Sequence, residues 1–130
     1  MLKSLHTKTK ALLMAGLKAG LMAVLMLLTM LSTATATELH QAAKDGDNAR
    51  ITTLLDRGAN IEARNKDGAT PIHFAAYEGH TQAITALLDR SADPNSKDKW
   101  GKTALDLIDK DNPAYGTDAY WRLHDAKFNQ

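Results

Sequence analysis

The sequence predicts an all-α fold, a solenoid of stacked helix-turn-helix units with projecting loops, about two and a half repeats long and closed by a C-terminal helical cap. Three observations carry this expectation. Shifted by 33 residues, the stretch from Leu39 to Ala59 falls on Ile72 to Ala92 without a gap, and a fixed period of that size indicates stacked repeats. Within each unit the large apolar residues recur at spacings of three and four, the period of a helix face turned to a core. Between the apolar stretches stand clusters of Gly, Pro, Asn and Asp that break helices.

Residues 1–36 have the make-up of a leader. They hold Lys3, Lys8, Lys10 and Lys18 and no Asp or Glu. A 13-residue run from Ala19 to Leu31 is apolar apart from Gly and Thr, and Ser32-Thr33-Ala34-Thr35-Ala36 follows it. A basic start, an apolar stretch and a small-residue Ala-x-Ala exit are the three parts of a secretory signal peptide. The apolar run falls short of the roughly 20 residues that a membrane helix needs. A cleaved leader is therefore expected, ahead of an uncleaved anchor with its basic end in the cytoplasm. Cleavage after Ala36 leaves 37–130 as one repeat domain of 94 residues. It keeps 12 basic residues (16 minus the four lysines) against 15 acidic ones, a balance of −3. The basic pI of the whole chain belongs to the leader, so no nucleic acid is expected as a partner. Cysteine is absent, which excludes disulfides, thiolate nucleophiles and Cys-ligated zinc.

The unit at about 64–96 is the most complete. Thr70 can cap the orphan amides of a helix that Pro71 begins, since proline is tolerated at the first helical position. Ile72, Ala75 and Ala76 form a narrow face of small and apolar residues that lets neighbouring helices approach closely. Gly79 suits the left-handed backbone that ends a helix. A second helix starts near Thr81 and carries Ile84, Leu87 and Leu88 at helical spacing. Ser91 to Asn95 breaks the chain, and Trp100-Gly101 marks a turn in the following loop. The unit at about 38–63 repeats this pattern 33 positions earlier, with Leu39, Ala42, Ala43, Gly46, Ile51 and Leu54-Leu55.

From Asn65-Lys66-Asp67-Gly68-Ala69-Thr70-Pro71-Ile72-His73 through Gly79-His80 to Leu87-Leu88, the second unit resembles a complete ankyrin repeat. The resemblance covers about Glu38 to Ile108. The first unit lacks the Asp-Gly-x-Thr-Pro lead, as a capping first repeat does. The second departs at Ser91, where the family has Gly, and slight strain is expected there. The third, at about 97–112, has Ala104 in place of Pro and Asp106 in place of His. Asp111-Asn112-Pro113 stops its helix, because proline cannot donate a hydrogen bond inside one. Thr117-Asp118 then has the form of a new helix cap. Residues 113–130 are expected to seal the open end of the stack, with Tyr115, Tyr120, Trp121 and Phe128 as core and lid.

Little in the chain suggests chemistry. The resemblance implies that His40 and His73, at one repeat position, hydrogen-bond within and between repeats, and that His80 of the Gly-His pair is structural. His124 stands alone, and no His-x-x-x-His spacing points to zinc. Asp106, Asp109 and Asp111 lie close together without the spacing of a Ca²⁺ loop, so a solvated acidic face is the better expectation. No Gly-x-Ser-x-Gly elbow and no phosphate-cradling glycine loop is present. No enzyme activity, cofactor or metal is expected.

The resemblance also places a binding surface. Ankyrin domains bind through loop tips and the inner face of each first helix. Here the tips are Lys66, Asp67 and Ala69, then Lys99, Trp100 and Lys102. The first-helix positions are Lys44 and Asp45, Tyr77 and Glu78, Lys110 and Asp111. Tyr77 and Trp100 lead this set, because aromatics dominate binding hot spots. The expected protein is an exported bacterial, periplasmic, monomeric interaction module with an unidentified protein partner. It touches membrane only through the leader, if that stays uncleaved. The alternatives are a secreted effector acting on a protein of a host or rival cell and, from another class, a small metal-dependent hydrolase.

Overall fold

A computed structural model describes residues 20–27 and 33–130, which fall into two units, Met1–Thr33 and Ala34–Gln130. In the first unit residues 20–27 are helical with exposed side chains. Most of the expected leader lies outside the described residues. Among the described residues no helix is long and apolar enough to cross a membrane.

The second unit is built of helices, and no strand occurs among its described residues. In chain order they are α1 (33–45), α2 (Asn48–Asp56), α3 (Pro71–Glu78), α4 (Thr81–Asp89), a single 3₁₀ turn (Leu105–Leu107) and α5 (Asp118–Phe128). The helix α1 runs through the expected cleavage point, so cleavage after Ala36 would leave residues 37–45 of it.

The repeat period becomes a packing rule. Leu39, Ala42 and Ala43 of α1 and Ile72, Ala75 and Ala76 of α3 are buried in one core with Ile51, Leu54, Ile84 and Leu87. The alanines leave room for the second helices to close in: α4 packs on α3, α2 and α5, and the 3₁₀ turn packs on α3 and α5. Local sequence starts and stops these elements. Gly79 ends α3 in the left-handed region at φ +75°, as expected, and the Asp47 carboxylate, not singled out from the sequence, accepts from Arg50 N at 3.0 Å to cap α2. A Cβ at Gly79 would stand 2.7 Å from both Asn112 Oδ1 and Pro113 Cδ, so the next unit needs that glycine bare.

Ser91 is the one non-glycine with positive φ among the described residues, at +67°; its repeat counterpart is Gly58, at +86°. A side chain in this region crowds its own backbone and costs about 1 kcal/mol. Ser91→Gly is therefore expected to raise stability by about 0.5–1 kcal/mol, measured as a higher denaturant midpoint with an unchanged slope. A lower midpoint would show that the Ser91 loop is not strained.

The third unit differs most from expectation. Its first helix is a single 3₁₀ turn that ends at Leu107, well before Pro113. The apolar face runs out, since Asp109 stands where Ala76 stands one unit earlier. Asp109 and Asn112 also offer the backbone another route: Asp109 Oδ1 accepts from Asp111 N at 3.0 Å and Asn112 Oδ1 from Ala114 N at 2.8 Å. The other end of the Asn112 amide donates to Ala76 O and Tyr77 O, at 2.9 and 3.2 Å, and closes the C-terminus of α3. His80 does the same for α1, through Nε2 and Lys44 O at 2.9 Å.

Helix α5 takes the place of the missing outer helix. Thr117 caps it, accepting from Tyr120 N. It buries Ala119 and Leu123. Asp56, at the end of α2, pairs with Arg90, just past the end of α4, at 2.6 Å, and Asp89, at the end of α4, pairs with Arg122 of α5 at 2.9 Å, so the acidic end of each outer helix is tied to the next element of the stack. The expectation that the four aromatics are core and lid needs correction. Tyr120 is half-buried, but Tyr115, Trp121 and Phe128 are 50, 51 and 62% exposed. Leu123 and Ala119 face the stack because they lie one turn apart on the opposite side of the helix.

Asp106 shows why a carboxylate replaces the histidine in the last unit. Its Oδ2 accepts from Thr103 N and Oγ1, both at 2.9 Å, as His73 does for Thr70. With no further hairpin to bond, its Oδ1 pairs with Lys127 Nζ of α5 at 2.5 Å. Partial desolvation raises the Asp106 carboxyl, but the hydrogen bonds from Lys127 and Thr103 outweigh it and hold the group below the usual carboxylate range. A folded-state value below the unfolded one contributes stability above the unfolded pKa, and that contribution disappears as pH falls through the folded one. Asp106→Asn is expected to cost about 0.5 kcal/mol near neutral pH, the usual size of a half-exposed ion pair. The gap to the native chain should close below about pH 4. A gap that persists in acid would locate the effect elsewhere.

Candidate functional site

The projecting loops are two copies of one turn. Asn65 N donates to Ala69 O at 3.1 Å, and Asp98 N to Lys102 O at 3.0 Å. Inside each turn a side-chain oxygen gathers two amides. Asn65 Oδ1 accepts from Asp67 and Ala69, and Asp98 Oδ1 from Trp100 and Lys102, all at 2.9 Å. Side chains that satisfy backbone amides hold a loop in one shape before any ligand arrives. The loops are also tied to each other. Lys99 N donates to Asp67 O at 2.9 Å, the Lys99 ammonium pairs with the Asp67 carboxylate, and Arg64 Nη1 bridges Gly68 O and Lys97 O at 2.9 and 2.6 Å.

These loops stand over α3 and the 3₁₀ turn and leave a groove of about 490 Å³. Five of the expected residues line it: Asp67, Ala69, Tyr77, Trp100 and Lys102. Tyr77 and Trp100 are 67 and 64% exposed, so neither is used by the core. Trp100 does not fold away onto its hairpin; Lys99 Nζ lies 4.3 Å from its ring centroid. The Lys99 hydrogen bond, opposed by desolvation and helped by the charges of Lys99 and Lys66, keeps the Asp67 carboxyl below the usual range.

Asn65, His73, Phe74, Asp98 and Leu107 also line the groove and were not placed on the binding surface from the sequence. Phe74 had a signal, since it lies three residues before Tyr77 on one helix face. It is half-buried and meets the His40 ring edge-on at 5.4 Å. His73, 2% exposed, is the structural histidine expected, with Nδ1 near Thr70 and Nε2 3.0 Å from Lys102 O. The other expected positions are exposed but line no part of the groove: Lys44, Asp45, Lys66, Glu78, Lys99, Lys110 and Asp111. Lys110 and Asp111 are not on a helix at all. They sit in the turn after Ile108, because the third unit's first helix ends early.

The groove offers apolar ring surface, a hydrogen-bonded rim and few groups able to do chemistry. No cluster of three or more His, Asp or Glu with the form of a metal site occurs among the described residues. A search of curated proteins finds no match to the chain. The family model for ankyrin repeats (3 copies) matches residues 39–108, more than half of the chain. The protein therefore belongs to the ankyrin-repeat family, whose repeats are protein-protein interaction modules.

Proposed function

We propose that this protein is a non-enzymatic recognition module of the periplasm, exported by its leader, that binds a partner protein in the groove between the hairpin loops and α3. One observation carries the proposal: Tyr77 and Trp100 come from different units, are both about two-thirds exposed, and line the same groove. Aromatic side chains supply large contact area at low entropic cost and dominate binding hot spots. The loops behind them are held by hydrogen bonds to their own side chains, so little ordering is needed on binding. The surrounding lysines and carboxylates form a rim whose charges steer a partner more than they hold it.

Tyr77→Ala and Trp100→Ala are each expected to weaken the partner complex at least tenfold, about 1.4 kcal/mol or more, with the helical signal and melting temperature unchanged. Partners captured from a periplasmic extract by the native chain and lost by both variants would be quantified by titration. Unchanged affinity in the double variant sinks the assignment. Export is tested separately: fractionation should find the protein in the periplasm with Thr37 as its first residue. Release into the medium would favour a secreted effector instead.

A further inference from the structure

Helix α5 has two unlike sides. Toward the stack it presents Ala119 and Leu123, and its two nearest cations turn the same way, Arg122 to Asp89 and Lys127 to Asp106. Outward stand Asp118, Trp121, Asp125 and Phe128. Their spacing of three, four and three residues puts them on one face, and all four are exposed. Acid and aromatic alternate along that face.

The rings form a continuous surface. His124 lies between Trp121 and Phe128, with centroids 5.4 and 4.7 Å away. Tyr120 meets Trp121 at 5.1 Å and Tyr115 at 4.9 Å. Contiguous apolar surface of this kind on a small protein marks an interaction site, because leaving it in water is unfavourable. The carboxylates beside it say what would cover it. Asp118 has no cation partner among the described residues. Among the described residues Asp125 meets the His124 ring, at 3.7 Å, and the Asn129 side-chain amide, and no Lys or Arg. Two under-compensated negative charges on an aromatic strip repel an acidic partner and attract a basic one, and rings that exclude water strengthen the attraction.

We propose that the outer face of α5 docks a basic segment of a second protein, with Lys or Arg side chains facing Asp118 and Asp125 and an Arg or apolar side chain over Trp121. Two helical turns separate the carboxylates, about 10 Å. Cations seven residues apart on a helix match that distance on one face, and on a strand the same-face spacings of two and four, about 7 and 13 Å, bracket it. The indole between them takes a guanidinium on its face. This surface shares no residue with the groove at Tyr77 and Trp100, and the two can be occupied or lost independently.

The test is selection of a displayed library of short random peptides on the full chain, followed by titration of the recovered peptides. The native chain is compared with Asp118→Asn/Asp125→Asn, Trp121→Ala and Tyr77→Ala/Trp100→Ala. Circular dichroism checks each fold, since Asp118 in the first turn also favours the helix. The expected result is a peptide class rich in Lys and Arg at these spacings. Its affinity should fall about tenfold in each α5 variant, fall with added salt, and stay unchanged in the groove variant. Peptides that need Trp121 but show no basic enrichment would overturn the partner assignment. Binding indifferent to both α5 variants would overturn the surface. Self-association abolished by Trp121→Ala would give the face to a second copy and also overturn the proposal.

Discussion

Removing residues 113–130 is expected to abolish a cooperative melting transition near room temperature or shift it sharply downward. Each unit of a solenoid buries its apolar face only against neighbours, so an uncovered end exposes a core. Here α5 is that cover. Ala114, Ala119 and Leu123 are buried, and α5 packs on both α4 and the 3₁₀ turn. The single change Leu123→Ala isolates the effect without shortening the chain. Leu123 is fully buried, and truncating such a side chain costs about 3 kcal/mol through lost transfer free energy and the cavity left behind. In a domain of this size that lowers the melting temperature by roughly 15 °C. Trp121→Ala is the control, since its ring faces outward, and should cost far less. A truncated chain that melts at the native temperature would rule out the capping role.

The second large effect is expected at His73. Its Nδ1 accepts from Thr70 N at 3.1 Å, which places the ring proton on Nε2, and Nε2 donates to Lys102 O at 3.0 Å. One side chain thus starts α3 and fixes the following hairpin. His73→Ala leaves the buried Thr70 amide without its partner, takes from Lys102 O one of its two donors (Asp98 N remains) and opens a cavity, a loss of about 3 kcal/mol. His40, at the same repeat position, is only half-buried, with Nε2 2.8 Å from Ala63 O. His40→Ala should therefore cost about 1 kcal/mol. Chemical denaturation of the two variants tests the difference, and equal losses would mean that the hairpin does not depend on His73. Because Lys102 lines the groove, His73→Ala should also weaken partner binding beyond its effect on stability.

The repeat itself was legible because its physics is local. Thr70-Pro71 starts a helix, Gly79 ends one, and Ile72, Ala75 and Ala76 share a face, whatever else the chain does. The same holds for Thr117 before α5. The strain expected at Ser91 follows from the one residue type that its repeat counterpart has and it lacks. Tyr77 and Trp100 were legible as exposed positions because the repeat uses the residues on either side of them for packing and turning.

Two features were not legible, and both depend on residues far apart in sequence. The third inner helix ends at Leu107 because Asp109 and Asn112 turn the backbone, and Asn112 does so while closing α3, some 35 residues earlier. Lys110 and Asp111 leave the binding face with it. The aromatics of the cap point outward because α5 docks through Leu123 and Ala119 and sends Arg122 and Lys127 to partners on the stack.

By itself, then, the sequence determined the repeat: its period, its helix ends, its core face and the two aromatics left on the surface. The first three follow from interactions within a few residues or from repetition of a pattern, and the last from the resemblance to an ankyrin repeat. The tertiary structure alone decided that Tyr77 and Trp100 share one groove, that α5 replaces the missing outer helix, and that the cap shows rings and carboxylates to solvent. These depend on which of several apolar faces is covered when the units stack, a choice made by contacts between distant residues and invisible in any one stretch of the chain.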